Sequence, residues 1–308
     1  MDVFSQFIPE LDTVWTTTLS HDTHAYPFYT KKWHAQWFSS LGDGEQPMII
    51  ADVPAGVLIP LAVKNAIAHF SGGEEIADYL DAIGSDPAKK AVWLKALGII
   101  RMQGAKRLIL RNIPEDSATL AFFRSQKGAD IQKEDTTPIL TLPNSFEAYM
   151  ALLDRKDRHE LKRKMRKFEA AHTGTTISVT QGESTDLDLL IKLMLRDSDK
   201  KIFLTDPMQR FFQNLSVSIG ESIMQFTLAL DTNVLATAVA FRTQGSLLLY
   251  NSGYNEDYVG AGFYLKSKMI EWAISQKITS YNFLQGSERY KYELGGKDFF
   301  VYRVELTM

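Results

Sequence analysis

Close to the C-terminal end of the chain, the run Gly286-Ser287-Glu288-Arg289-Tyr290-Lys291 sets a carboxylate, a phenol and an ammonium within one short stretch. A set of that kind can accept a proton, return one and oppose a developing negative charge. A helix start carrying a surface ion pair would use the same residues. Upstream, the apolar strand Leu247–Tyr250 runs through Asn251-Ser252-Gly253-Tyr254 towards the small-residue turn Gly260-Ala261-Gly262, where an amphipathic helix begins. Glycine at a helix entry lets a ligand approach the backbone. The first-turn N–H groups have no internal partner and meet the positive end of the helix dipole, which suits phosphate or pyrophosphate. A tight turn that simply needs glycine has the same appearance. The third feature is Arg155–Lys167, thirteen residues of which eight are Lys or Arg. It reads either as a solvated helix face or as a contact for an acidic partner: donor phosphates, an RNA acceptor stem or anionic lipid headgroups.

Composition removes other chemistries. The 308 residues include no cysteine, which excludes disulfides, thiolate zinc sites, iron–sulfur clusters and a cysteine nucleophile. The six histidines are scattered, with His21 and His24 the only close pair, so no metal site is expected. There is no Walker-type phosphate loop, Ser-x-x-Lys or Gly-x-Ser-x-Gly elbow. A net charge of -3 argues against nucleic-acid binding over the whole surface, though not against a local basic patch. Met1–Glu10 lacks the basic and apolar regions of a signal peptide. No apolar run approaches the roughly 20 residues that span a bilayer. A cytoplasmic protein without a transmembrane segment is therefore expected.

The elements that must position these residues follow from periodicity. In the C-terminal half, helices are expected over Ser145–Leu153 and Arg155–His172, the second carrying Leu161, Met165, Phe168 and His172 along one face. A strand follows at Thr176–Thr180 and a helix at Asp186–Asp199. Another helix opens at Asp206-Pro207, with Asp206 as its N-cap. Three strands in a meander, Gln225–Leu230, Val234–Thr243 and Ser246–Tyr254, precede a helix over Gly262–Ser275 with Leu265, Met269, Trp272 and Ala273 inward. A strand at Thr279–Leu284, a short helix around Ser287–Leu294 and a last strand, Phe299–Leu306, complete the half. The N-terminal half is a looser version. It has a Trp-rich helix over Lys32–Leu41 whose Trp33, Trp37 and Phe38 read as core, and a hairpin of Met48–Asp52 with Val57–Val63. A helix at Asp86–Met102, a strand at Arg107–Leu110, a helix at Ser117–Ser125 and a strand at Pro138–Leu142 follow. The boundary between the halves falls near Pro143-Asn144, giving domains of residues 1–143 and 144–308.

The order of short motifs along the chain carries a family resemblance. Ser252-Gly253-Tyr254, Gly260-Ala261-Gly262 and Gly286-Ser287-Glu288-Arg289-Tyr290-Lys291 resemble the closing portion of the GNAT-type acyltransferase domain in CelD-like and FemAB-like proteins. Phe28-Tyr29-Thr30, Ile59-Pro60-Leu61, Asp78-Tyr79-Leu80 and Ile113-Pro114-Glu115-Asp116-Ser117 extend the resemblance over nearly the whole chain. It implies an α/β protein with mixed sheets and two tandem GNAT-like domains. The N-terminal domain, which lacks an evident donor turn, is expected to be degenerate. It further implies an N-acyltransferase whose donor lies between two splayed central strands, with its pyrophosphate on the turn Val259, Gly260, Ala261, Gly262 and Phe263. The expected donor is acyl-CoA or another acyl-thioester carrier, with no metal, and the acceptor is an amine on a small molecule or the cell envelope. Direct attack of that amine would place Glu288 as base, Tyr290 as acid to the leaving group and Lys291 opposite developing charge, with Tyr254 at the end of the splayed strand. The turn departs from the usual GNAT phosphate loop, which carries a basic residue and more glycines. FemAB-like relatives use aminoacyl-tRNA as donor, which stays as an alternative, as does a non-catalytic GNAT-fold partner in envelope or polysaccharide assembly.

Overall fold

A computed structural model describes all of residues 1–308. The chain divides into two compact units, Met1–Thr136 with Phe299–Met308, and Thr137–Asp298. No helix is long and apolar enough to cross a membrane.

The first unit runs β1 (Asp2–Phe4), α1 (Glu10–Leu19), α2 (Lys31–Ser40), β2 (Gln46–Asp52), β3 (Val57–Lys64), β4 (Ile67–Phe70), β5 (Ile83–Gly84), α3 (Asp86–Met102), β6 (Arg107–Pro114), α4 (Ala118–Arg124) and β7 (Asp130–Thr136). Thr30 caps α2 by accepting the Trp33 N–H at 3.3 Å, and Trp33 and Trp37 are buried as the aromatic stripe predicts. β2 and β3 form the expected hairpin from Gln46–Val63 to Asp52–Val57, and both strands are apolar on both faces because helices cover the sheet. β1, α1, β4, β5 and β7 have no counterpart in the sequence reading.

The second unit runs β8 (Ile139–Thr141), α5 (Phe146–Leu152), α6 (Arg155–Ala171), β9 (Thr176–Gln181), α7 (Leu187–Met194), α8 (Ser198–Phe203), α9 (Asp206–Gln213), α10 (Leu215–Ile219), β10 (Ile223–Leu230), β11 (Asn233–Arg242), β12 (Ser246–Tyr254), α11 (Ala261–Ser275), β13 (Ser280–Asn282) and α12 (Arg289–Glu293). Its six strands lie in the order β8-β13-β12-β11-β10-β9, antiparallel except for the central β12–β13 pair. α11 packs Leu265, Met269 and Ala273 against this sheet, and Trp272 meets Phe226 of β10 edge-on with ring centroids 5.0 Å apart.

Three local expectations change. The segment expected as one helix over Asp186–Asp199 breaks into α7 and α8, because the Asp197 side chain accepts the N–H groups of Asp199 and Lys200 and starts a new helix there. Thr205, not Asp206, is the N-cap residue of α9, and Asp206 occupies its first turn. The last strand, β14 (Phe300–Thr307), does not close the second unit's sheet. It lies between β6 and β7 in the eight-stranded sheet of the first unit, while β8 occupies the free edge of β13.

Candidate active site in the second unit

β12 and β13 run parallel but pair only at Ser246–Ser280, Leu247–Tyr281 and Leu248–Asn282. β13 then ends while β12 continues to Tyr254, so the two central strands part. On its other edge β12 carries a bulge at Tyr250, since Val239 faces Asn251 and Ala240 faces Leu249. A bulge takes one residue out of the ladder and bends the strand, and this bend falls where the gap opens.

The turn that enters α11 lies beyond that end of β12. Gly260 has φ 92°, a left-handed conformation that favours glycine, and Val259 beside it is 85% exposed. The ring of Tyr254, 40% exposed, lies against Gly262, where a Cβ would stand 3.1 Å from it. Ala261 is buried under the turn. Val259, Gly260 and Phe263 line a cavity of about 520 Å³, and Arg163, Lys164 and Lys167 of α6 line its other side. Two contacts fix α6 there. The ring of Phe168 stacks on Tyr264 at 4.5 Å, and the Tyr264 hydroxyl donates to Glu169 at 3.0 Å. Lys164 lies over the Phe263 ring at 4.3 Å and pairs with Glu293 at 2.6 Å. Arg163 is held by Glu160, whereas Lys167 has no carboxylate partner. The positive charge missing from the turn itself is thus supplied by α6. Arg155, Lys156, Arg158 and Lys162 likewise form no ion pair, and they line a broader groove with Arg289 and the carboxylates Asp157, Glu160 and Glu293.

The segment after β13 brings Glu288, Tyr290 and Lys291 together. Leu284 and Gly286 adopt φ 57° and 111°, and the Asn282 side chain accepts the Leu284 N–H at 2.8 Å. Lys291 is buried. Its Nζ donates to the carbonyls of Leu284, Gln285 and Gly286 and pairs with Glu288 at 2.9 Å. The positive φ favours glycine at position 286, and a Cβ there would displace the Glu288 carboxylate, whose Oε2 would lie 2.3 Å away. The Glu288 side chain is 58% exposed and presents a carboxylate to solvent. Burial, then the Glu288 charge, push the Tyr290 phenol upwards, so it stays protonated through the neutral range.

Two residues that sequence reasoning missed join this group. Lys266 of α11 lies over the Tyr290 ring at 4.8 Å. Lys200 of α8 donates to the carbonyl of Ser252 on β12. Burial, and then the Lys200 charge, lower the Lys266 pKa to about 7, with Glu288 pulling the other way. Burial also lowers Lys200, partly offset by Asp197 and Glu288. Helical spacing was the available signal, since Lys266 shares a face with Met269, Ile270 and Ala273.

Residues 155–292, from the start of α6 to α12, match the acetyltransferase (GNAT) domain family. A comparison with curated protein sequences finds no match. Among solved structures, L-PGS from Bacillus licheniformis is 12% identical over 99% of this chain and 94% of its own, with a TM-score of 0.66. FemX is 10% identical over 100% of this chain and 98% of its own, at 0.64. A tandem GNAT protein from the clavulanic acid biosynthesis pathway is 12% identical over 98% and 96%, at 0.52. At these identities the likeness establishes the fold, a tandem GNAT arrangement along the whole chain.

Proposed function

We propose that this chain, an acyltransferase of the GNAT superfamily with a FemAB-like build, moves an acyl group from acyl-CoA to the amine of a small-molecule or cell-envelope acceptor. The observation that carries the reading is the conjunction in the second unit of parted central strands with a glycine-opened helix start facing the cations of α6. In the turn Val259–Phe263 the Ala261 N–H is spent on the Tyr258 carbonyl at 3.0 Å, so the N–H groups of Gly260, Gly262 and Phe263 would hold the pyrophosphate, with Arg163 and Lys167 opposite. The acyl arm would then enter the gap between β12 and β13.

In the reaction, the amine nitrogen attacks the thioester carbonyl carbon. A C–N bond forms, the C–S bond breaks and the thiolate departs. The acceptor's ammonium proton goes to Glu288, directly or through water, and on to solvent; the protonated Tyr290 phenol gives its proton to the departing thiolate and is restored by the second proton lost from the nitrogen as the amide forms. Lys291 has its protons taken by three carbonyls and Glu288, so its part is to hold the 284–288 segment in shape. Tyr254 would cover the entry to the gap.

A second reading, transfer from an aminoacyl-tRNA, is favoured by the unpaired cations that continue along α6 past the turn, more than one pyrophosphate requires. Calorimetric titration with acetyl-CoA and with an aminoacylated RNA minihelix separates the two. Binding of acetyl-CoA that weakens by about tenfold or more in an Arg163→Ala/Lys167→Ala variant supports the first. Binding of the minihelix alone, with a steep salt dependence, replaces it by the second.

A further inference from the structure

α11 buries an apolar face on the sheet, and Lys266 stands within it, 6% exposed. Its ammonium donates to no protein oxygen; only the π face of Tyr290 accompanies it. The side chain is buried but its Nζ keeps a small accessible edge, so an acceptor from outside can reach an ammonium that has little water and no protein oxygen around it. The neighbours add to the imbalance. Lys200 approaches from α8 and spends one bond on the Ser252 carbonyl. Lys291 approaches from α12 with its own protons already occupied. The carboxylates facing these cations are Asp197, beside Lys200, and Glu288, which pairs with Lys291 and turns to solvent. The location is specific. Ser252 lies on β12 beyond its last pairing with β13, and residues 284–291 follow the end of β13. Lys266 and Lys200 therefore stand between the parted strands.

We propose that Lys266 and Lys200 form an anion subsite in this gap, separate from the turn at the start of α11, that receives a carboxylate or phosphate carried by the substrate beside its reacting group. A compact oxyanion supplies the acceptor that Lys266 lacks and balances the local excess of positive charge. Because the Lys266 amine titrates at about 7 in the empty site, binding an anion draws a proton into the protein. The inference rests on the gap being the reaction site, but the binding is measured with no acyl donor present.

The test is calorimetric titration of the whole chain with sodium sulfate, and separately with sodium acetate, at fixed ionic strength in two buffers of different ionisation enthalpy. The expected result is uptake of about half a proton per ion bound at pH 7, rising towards about one at pH 8.5 and falling to near zero at pH 5.5. Uptake with sulfate marks a phosphate site, and uptake with acetate a carboxylate site. Lys266→Met removes the uptake, and Lys266→Arg keeps the binding without proton exchange. The Arg163→Ala/Lys167→Ala variant keeps the uptake, which separates the subsite from the cavity beside α6. Ion binding without proton uptake, uptake that persists in Lys266→Met, or no binding of either ion overturns the proposal. Loss of CoA binding with proton uptake intact overturns the donor reading alone.

Discussion

In the first unit, β4 and β6 pair in parallel at Ile67–Arg107, Ala68–Leu108 and His69–Ile109 and then part, as β12 and β13 do in the second. What lies in the two gaps differs. In the first, the segment between β4 and α3 folds in and fills it with Ile76, Tyr79 and Leu80, all buried. Asn112 of β6, at φ 57°, holds that segment by donating to the carbonyls of Glu74 and Ala77 and accepting the Leu80 N–H. The helix that follows begins among carboxylates. Lys89 bonds Asp86 at 2.7 Å and lies 3.3 Å from Asp81 and 3.6 Å from Asp22. Desolvation lowers the Lys89 pKa, but these three carboxylates more than reverse it, and the ammonium stays charged. In the second unit the corresponding helix begins at an exposed glycine facing cations. The splayed strands are shared, then, and the units differ in what stands beside the gap, an apolar plug in the first and lysine side chains in the second, and in the sign of charge at the helix start.

Substitutions that break this contrast should rank in a definite order. Tyr79→Ala hollows the filled gap and should cost about 3–5 kcal/mol in urea unfolding while leaving CoA affinity unchanged. A gain of donor binding there would mean that the plug alone separates the units. Lys291→Met leaves three carbonyls and Glu288 without their shared cation. It should cost about 3 kcal/mol and abolish transfer, read by denaturation and by release of free CoA thiol.

Lys266→Met sharpens the contrast through pH. The folded amine titrates at about 7, below its ordinary value of 10.5, so the unfolded chain binds more protons between those values. The stability of the parent chain should therefore rise from pH 7 to pH 10.5. The variant should be more stable by up to a few kcal/mol below pH 7, and the advantage should fade towards pH 10.5. Equal stability at pH 6 would show that the amine is well solvated. Arg163→Ala/Lys167→Ala should weaken acetyl-CoA binding by about tenfold to a hundredfold with little change in melting temperature. Gly260→Ala meets only Phe168, at 3.8 Å, so its cost of about 1 kcal/mol comes from the positive φ and should appear as a small fall in melting temperature.

Much of this contrast was legible in the sequence, and the illegible parts share a cause. The helix entry at Gly260-Ala261-Gly262, the strands that end before it and the basic run of α6 are local patterns, and each lies where periodicity places it. That α6 delivers its charge to the turn is a tertiary fact carried by Phe168 on Tyr264, a pair separated by most of the domain. The strand at Phe300–Thr307 is plain from its alternation, but its partners β6 and β7 are not, because alternation fixes a face and says nothing of the neighbouring strand. Lys266 was hidden by its type. A lysine beside inward-facing Leu265 is ordinarily taken to extend to solvent, and only the fold shows the side chain turned inward.

The central claim, that the donor's phosphates lodge at the opening of α11 and not in the first unit, is tested most directly by a crystal structure of the chain soaked with acetyl-CoA. Pyrophosphate density is expected on the N–H groups of Gly260, Gly262 and Phe263, between that turn and Arg163 and Lys167, with the pantetheine arm passing between β12 and β13. Density in the first unit, or none at α11 with the cofactor in saturating excess, would contradict it.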